Sequence, residues 1–251
     1  MPEAPILEAT DLQRRFGGVT ALAGVSLAVA QDSITALIGP NGAGKTTAFA
    51  TMAGFHRPEH GTVRFAGHDI TGWKPERIAR LGLVRTFQIV QPFGTLSVRD
   101  NIAVGAHLHI AHRAEAQRVA EEVASRVGLA RDLGKPANTL PVAGRKRLEL
   151  ARALATNPRM LLLDEVMAGL NPGEVAALLP AIRAIRESGV TLLMIEHVMH
   201  AVAELAEHVI VLAEGRVIAE GSVAEVARDP LVVDAYLGEG AAQRLAGHDA
   251  A

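Results

Sequence analysis

Apolar runs of strand length crowd the first third of the chain, helical spacing takes over in the middle, and the two alternate in the last third. The early runs fall at residues 6–9, 26–30, 34–38, 62–66 and 84–87, and each reads as a strand. Gly61 and Gly67 bracket one of them as a short hairpin arm. The opening part therefore predicts antiparallel strands flanking a central strand at 34–38. From Ser97 the period changes. Val98 and Ile102, then Val119, Val123 and Val127, recur at helical spacing through about Leu154. Gly134, Pro136 and Pro141 break this block with a loop at 129–141. Strands at 160–163, 191–195 and 209–212 then alternate with helices at 172–187 and 198–206. That alternation predicts an α/β fold, a mostly parallel sheet with helices on its faces and a helical block inserted between its two halves. The residues after about 240 read as a frayed tail.

Composition narrows the classes. Of 251 residues, 49% are apolar but only 3% aromatic, so the core must be built from Leu, Val, Ile and Ala. A formal net charge of −2 argues against a nucleic-acid partner. The absence of cysteine removes disulfides and thiolate metal sites. No apolar run approaches the roughly 18 residues that span a bilayer, and the first residues lack a signal-peptide layout, so any membrane role is expected to be peripheral.

Between the strand at 34–38 and a helix-forming run from Thr46 to Met52 lie Gly39, Pro40, Asn41, Gly42, Ala43, Gly44, Lys45, Thr46 and Thr47. This is the G-x-x-x-x-G-K-[ST] pattern in the strand–loop–helix setting it requires. Glycines permit positive φ, so successive backbone N–H groups converge on one anion, and the helix N-terminus adds its dipole. Lys45 is expected to reach the β- and γ-phosphates, and the Thr46 hydroxyl to ligate magnesium. The chain is expected to bind a nucleoside triphosphate.

A buried run at 160–163 ends in Asp164 and Glu165. Strand alternation sends the two carboxylates to different environments. Asp164 is assigned to the magnesium shell and Glu165 to the attacking water, a division that suits phosphoryl transfer, where the protein mostly positions groups. Gln88 and His197 each stand just beyond a strand, where α/β sheets place ligand contacts, although either taken alone reads more readily as a surface polar residue than as a site residue. Phe16 either stacks on a base or packs in the core. His107, His109 and His112 do not share one helical face, and the basic run at 145–147 opens a helix, so neither is promoted to a site.

In this order the pieces resemble the ATP-binding cassette (ABC) ATPases over nearly the whole chain. The resemblance implies a P-loop NTPase with a RecA-like core, an antiparallel β arm and an inserted helical subdomain. Residues 1–240 would be the ATPase domain, with core at 1–96 and 156–240, helical block at 97–155 and a tail at 241–251. It implies Phe16 stacking on adenine, Gln88 at the glutamine loop on metal and water, Glu165 as general base and His197 as switch histidine. ATP and magnesium are the implied cofactors. Two such domains would close head to tail, each phosphate loop completed by the partner's signature loop.

That signature normally reads L-S-G-G-Q, and here Leu140, Pro141, Val142, Ala143 and Gly144 stand in its place. Pro141 brings neither hydroxyl nor amide donor, and Val142 and Ala143 replace glycines. The stretch Ala168-Gly169-Leu170-Asn171, the run Val84-Arg85-Thr86-Phe87-Gln88 and the ending Ala235-Tyr236-Leu237-Gly238 look like the branched-chain amino-acid uptake subgroup. An importer of that kind implies a second ATPase subunit, membrane permease subunits and a periplasmic solute-binding protein, with this chain on the cytoplasmic face of the inner membrane. Lipopolysaccharide-export ATPases, and soluble ABC ATPases acting on nucleic acid or ribosomes, are the alternatives.

Overall fold

The computed structural model describes residues 4–86 and 92–237, whose strands form two sheets. The first is antiparallel. It is built from β1 (Leu7–Phe16), β2 (Val19–Val29), β4 (His60–Phe65) and β5 (His68–Asp69), in the order β2-β1-β4-β5. The second holds β3 (Ile34–Ile38), β6 (Leu83–Arg85), β7 (Met160–Asp164), β8 (Thr191–Ile195), β9 (His208–Ala213) and β10 (Arg216–Gly221). Its order is β10-β9-β3-β8-β7-β6, parallel throughout except for the β9–β10 edge hairpin.

Every residue of β3, β7 and β8 is buried, the mark of strands covered on both faces. Strand alternation then splits the core in two. Ile34, Ala36 and Ile38 of β3, with Leu161 and Leu163 of β7, face a helical layer. Leu37 of β3, with Leu162 of β7 and Leu193 of β8, faces the antiparallel sheet and helix α1 (Lys45–Met52). The helical layer contains α3 (Val98–Ala106), α4 (Arg113–Arg126), α5 (Val142–Leu154), α6 (Pro172–Glu187) and α7 (Met199–Leu205). Gly105 lets α3 press against α5: a Cβ there would stand 2.2 Å from the Arg152 carbonyl oxygen. Helix α6 starts from a capping box between Asn171 and Glu174.

Two expectations need correction. The early antiparallel strands do not flank β3; they form their own sheet, and the neighbours of β3 are β8 and β9. The arm strands are also longer than the apolar runs, because β1 continues through the polar residues to Phe16 by pairing with β2. Pairing supplies the hydrogen bonds there, and apolar content does not report it. Helices α2 (Pro75–Leu81), α8 (Val223–Val226) and α9 (Pro230–Leu237), with β10, also escaped the sequence pattern, being short or mixed in polarity. Among the described residues, no helix is long and apolar enough to cross a membrane.

Candidate functional site

The C-terminal ends of β3, β7 and β8 converge on one cavity of about 240 Å³, where open parallel sheets place their ligands. Its floor is the loop from Asn41 to Thr47, with Val19, Thr20 and Ala21 on one wall and Glu165 and His197 on another. The loop can lie this close only because of its glycines. A Cβ at Gly39 (φ 146°) would stand 1.9 Å from the Leu212 carbonyl oxygen, and one at Gly44 (φ 102°) 2.3 Å from that of Ala21. Gly44 caps α1 with no side-chain hydrogen bond, so the first amides of the helix keep their donors for a ligand.

Lys45, 6% exposed, donates from Nζ to the carbonyl oxygens of Gly39 (2.7 Å) and Pro40 (2.9 Å). Burial holds its pKa below the usual lysine value, and the charges of Glu165 and Asp164 oppose that shift. The cation therefore crosses the mouth of its own loop, facing two acids.

Those acids diverge as the strand predicts. The Asp164 side chain is buried, accepts a 2.6 Å ion-paired bond from Arg85 Nη2, and leaves Oδ1 with no hydrogen-bond partner among the described residues. Its amide donates to Thr86 Oγ1 at 3.0 Å. Glu165 turns the other way, through a left-handed backbone at φ 50°. That conformation costs a non-glycine residue about 1–3 kcal/mol and persists only where the surroundings impose it. Here the Glu165 amide donates to Ile195 O (3.0 Å), its carbonyl accepts from Lys146 Nζ (3.2 Å), and its Oε1 bonds His197 Nε2 (2.9 Å).

Glu196, between Ile195 and His197, is 2% exposed, and its Oε1 accepts from the Met167 amide at 3.0 Å. Burial pushes its pKa up to about 7; Glu165 adds to the rise, and the Met167 and His197 amides and Lys146 oppose it. Between the ordinary value of 4.5 and about 7, the folded carboxyl keeps a proton that the unfolded chain releases, so stability falls as pH rises through that window. Glu196→Gln cannot ionise, and should gain on the wild type by about 3 kcal/mol across the window, read from thermal melts on either side of it.

The structure thus brings the phosphate loop, Glu165 and His197 to one cavity and sets Asp164 just behind it. Phe16 ends β1 at 41% exposure, with the Arg14 guanidinium 4.9 Å from its ring centroid and His56 edge-on at 5.2 Å, so it is not a core residue. Gln88 lies outside the described residues. Leu140 is buried, whereas Pro141 caps α5 without a side-chain bond and Val142 is 47% exposed. No group of three metal-ligating side chains occurs among the described residues, His107, His109 and His112 included. Sequence reasoning missed Arg85, Lys146 and Glu196. The only local signal was for Glu196, an acid abutting an apolar strand just before the predicted site histidine.

The ABC transporter family profile matches residues 22–168, and a branched-chain amino acid ATP-binding cassette transporter profile matches residues 216–242. Among curated proteins, the high-affinity branched-chain amino acid transport ATP-binding protein BraF of Pseudomonas aeruginosa is 39% identical, over 94% of this chain and 98% of its own length. LivG of Escherichia coli K12, described in the same terms, is 36% identical with the same coverage. Two solved structures superpose closely. A nucleotide-free ATP-binding cassette from an ABC transporter gives a TM-score of 0.85 at 31% identity, over 94% of this chain and 100% of the other. The ADP conformation of the cassette MJ1267 gives 0.84 at 32%, with the same coverage.

Proposed function

We propose, from the premise that this chain is an ATPase belonging to the ABC transporter family, that it powers an importer of branched-chain amino acids or related small solutes. The observation that carries the solute class is the match of residues 216–242 to the branched-chain cassette profile, supported by the BraF and LivG identities. Its partners would be a second cassette, membrane permease subunits and a periplasmic solute-binding protein. The chain would sit at the cytoplasmic face of the inner membrane.

In this reading the amides of residues 39–46 and the Lys45 ammonium take the triphosphate, and Phe16, exposed and paired across the hairpin with the cavity-lining Val19, stacks on the base. Glu165 accepts the proton of the attacking water, and His197 fixes the carboxylate that does so. Asp164 Oδ1, without a hydrogen-bond partner among the described residues, suits the hydration shell of a magnesium ion, for which the Thr46 hydroxyl would be a direct ligand and Gln88, by the family resemblance, a further contact. Bound magnesium neutralises charge on the phosphate oxygens. The glutamine loop and helices α3–α5 would relay closure to the permease.

The test is the whole complex. Purified with its permease and partner cassette, the chain should show ATPase activity stimulated several-fold by a leucine-loaded binding protein. Stimulation instead by lipopolysaccharide, or by nucleic acid or ribosomes, would replace the solute assignment. In the same assembly, the segment from Leu140 to Gly144, whose Val142–Gly144 part forms the first turn of α5 where a loop was expected, would complete the partner's site weakly, because Pro141 offers neither hydroxyl nor amide and Val142 and Ala143 carry Cβ atoms. The pair would be asymmetric, with this chain's own phosphate loop the working one. Pro141→Ser combined with Val142→Gly and Ala143→Gly should raise turnover of the complex. Unchanged turnover would dismiss the asymmetry.

A further inference from the structure

Glu165 projects into the phosphate cavity from a left-handed backbone turn that its side chain disfavours; the Ala168 amide closes the turn locally on the Glu165 carbonyl oxygen (3.1 Å), and further contacts reach it from distant parts of the chain. The neighbouring strand β8 offers the Ile195 carbonyl, which takes the Glu165 amide. Two buried charged side chains add to these backbone bonds. Lys146, 8% exposed on the first turns of α5, donates to the Glu165 carbonyl oxygen. Glu196, at the end of β8, accepts the Met167 amide, two residues past the base.

We propose that Glu196 and Lys146 are positioning residues that clamp the chain just past the Glu165 side chain, at its own carbonyl and at the Met167 amide, fixing the left-handed turn that aims the carboxylate at the nucleotide. This rests on Glu165 being the general base. The local sequence explains why two consecutive residues share the task. Beyond β8 the chain alternates, so His197 faces the cavity and holds the Glu165 side chain while Glu196 faces inward and holds the backbone that follows. The setting of Glu196 fits a structural hydrogen-bond acceptor: its carboxyl is pushed up to about 7 by burial and by Glu165, with Lys146 pulling the other way, and either protonation state leaves an oxygen for the Met167 amide. Lys146 also gives the clamp a direction. It lies four residues after Val142 on α5, whose first turn carries Val142, Ala143 and Gly144, so a displacement of α5 reaches the base through one side chain.

The test uses the full chain assembled with its partner cassette. In Glu196→Ala, amide exchange at Met167 should accelerate at least about tenfold, since opening of that bond no longer competes with a partner. Steady-state kcat should fall about tenfold while KM for Mg-ATP stays within about twofold, the pattern of a lost transition-state contribution. Glu196→Gln keeps an amide oxygen in the same place and should restore both the protection and most of kcat. Lys146→Met keeps the stem and removes the ammonium; kcat should drop several-fold with Mg-ATP binding retained. Wild-type kcat in Glu196→Ala or Lys146→Met, or a glutamine variant no better than alanine, would overturn the proposal. Should Glu196→Ala not fold, the Gln and Met variants still decide it, because both preserve volume. Accelerated exchange with an unchanged rate would likewise reject positioning. A wild-type complex that binds Mg-ATP and fails to hydrolyse it would instead remove the general-base assignment on which the clamp rests.

Discussion

Glu165→Gln is expected to bind Mg-ATP with near-native affinity and to hydrolyse it at least about 100-fold more slowly, the usual range for losing a general base. The amide has the shape of the carboxylate, and its oxygen still accepts the 2.9 Å bond from His197. The backbone contacts at this residue, to Ile195 and from Lys146, use main-chain atoms and survive the change. What disappears is the ability to take a proton from water. The variant should therefore keep its geometry and lose one chemical step, trapping ATP between two closed cassettes. Single-turnover hydrolysis set against equilibrium nucleotide binding separates the two quantities. Normal turnover would place the base elsewhere in the cavity, with His197 the first candidate, since it also lines the wall.

How much of this site the sequence reveals depends on how far apart its interacting residues lie. The phosphate loop is legible because its parts are contiguous: strand, glycines and helix specify one local geometry. The fully buried strands are legible for a similar reason, since a five-residue run that is apolar except for one threonine suits a strand covered on both faces. Arg85 on Asp164, by contrast, joins residues 79 apart, and Glu196 on the Met167 amide joins residues 29 apart. Nothing in either neighbourhood encodes the other. The left-handed turn at Glu165 is hidden more deeply, because a glutamate there defies the local preference and is held by groups on α5 and β8. The antiparallel arm failed for yet another reason. Much of β1 is polar and partly exposed, so its strand state comes from pairing with β2 and β4 and leaves little hydrophobic pattern to read. Phe16 sits at the end of that same strand, which is why its surroundings, Arg14 and His56, were not apparent from a lone aromatic.

Lys45→Ala should fail at the opposite step from Glu165→Gln, losing roughly 100-fold or more in Mg-ATP affinity. Two charge-assisted hydrogen bonds to phosphate, at about 1.5–3 kcal/mol each, set that scale. The ammonium spans the Gly39 and Pro40 carbonyl oxygens at 2.7 and 2.9 Å. A phosphate in the loop must compete with those carbonyls, and it wins because it carries negative charge and they do not. Removing the lysine also exposes the triphosphate to Glu165 across the cavity and to Asp164 behind it, with one fewer cation to offset their repulsion. Both effects act on binding, so the loss should appear in a calorimetric or fluorescence titration before any hydrolysis is measured. It should shrink only modestly in high salt, because the pair is buried and poorly screened. Affinity within about threefold of the wild type would mean that backbone amides alone grip the phosphates. The two substitutions make a decisive pair: one cassette that holds ATP without consuming it, and one that cannot hold it, from residues lining the same 240 Å³ cavity.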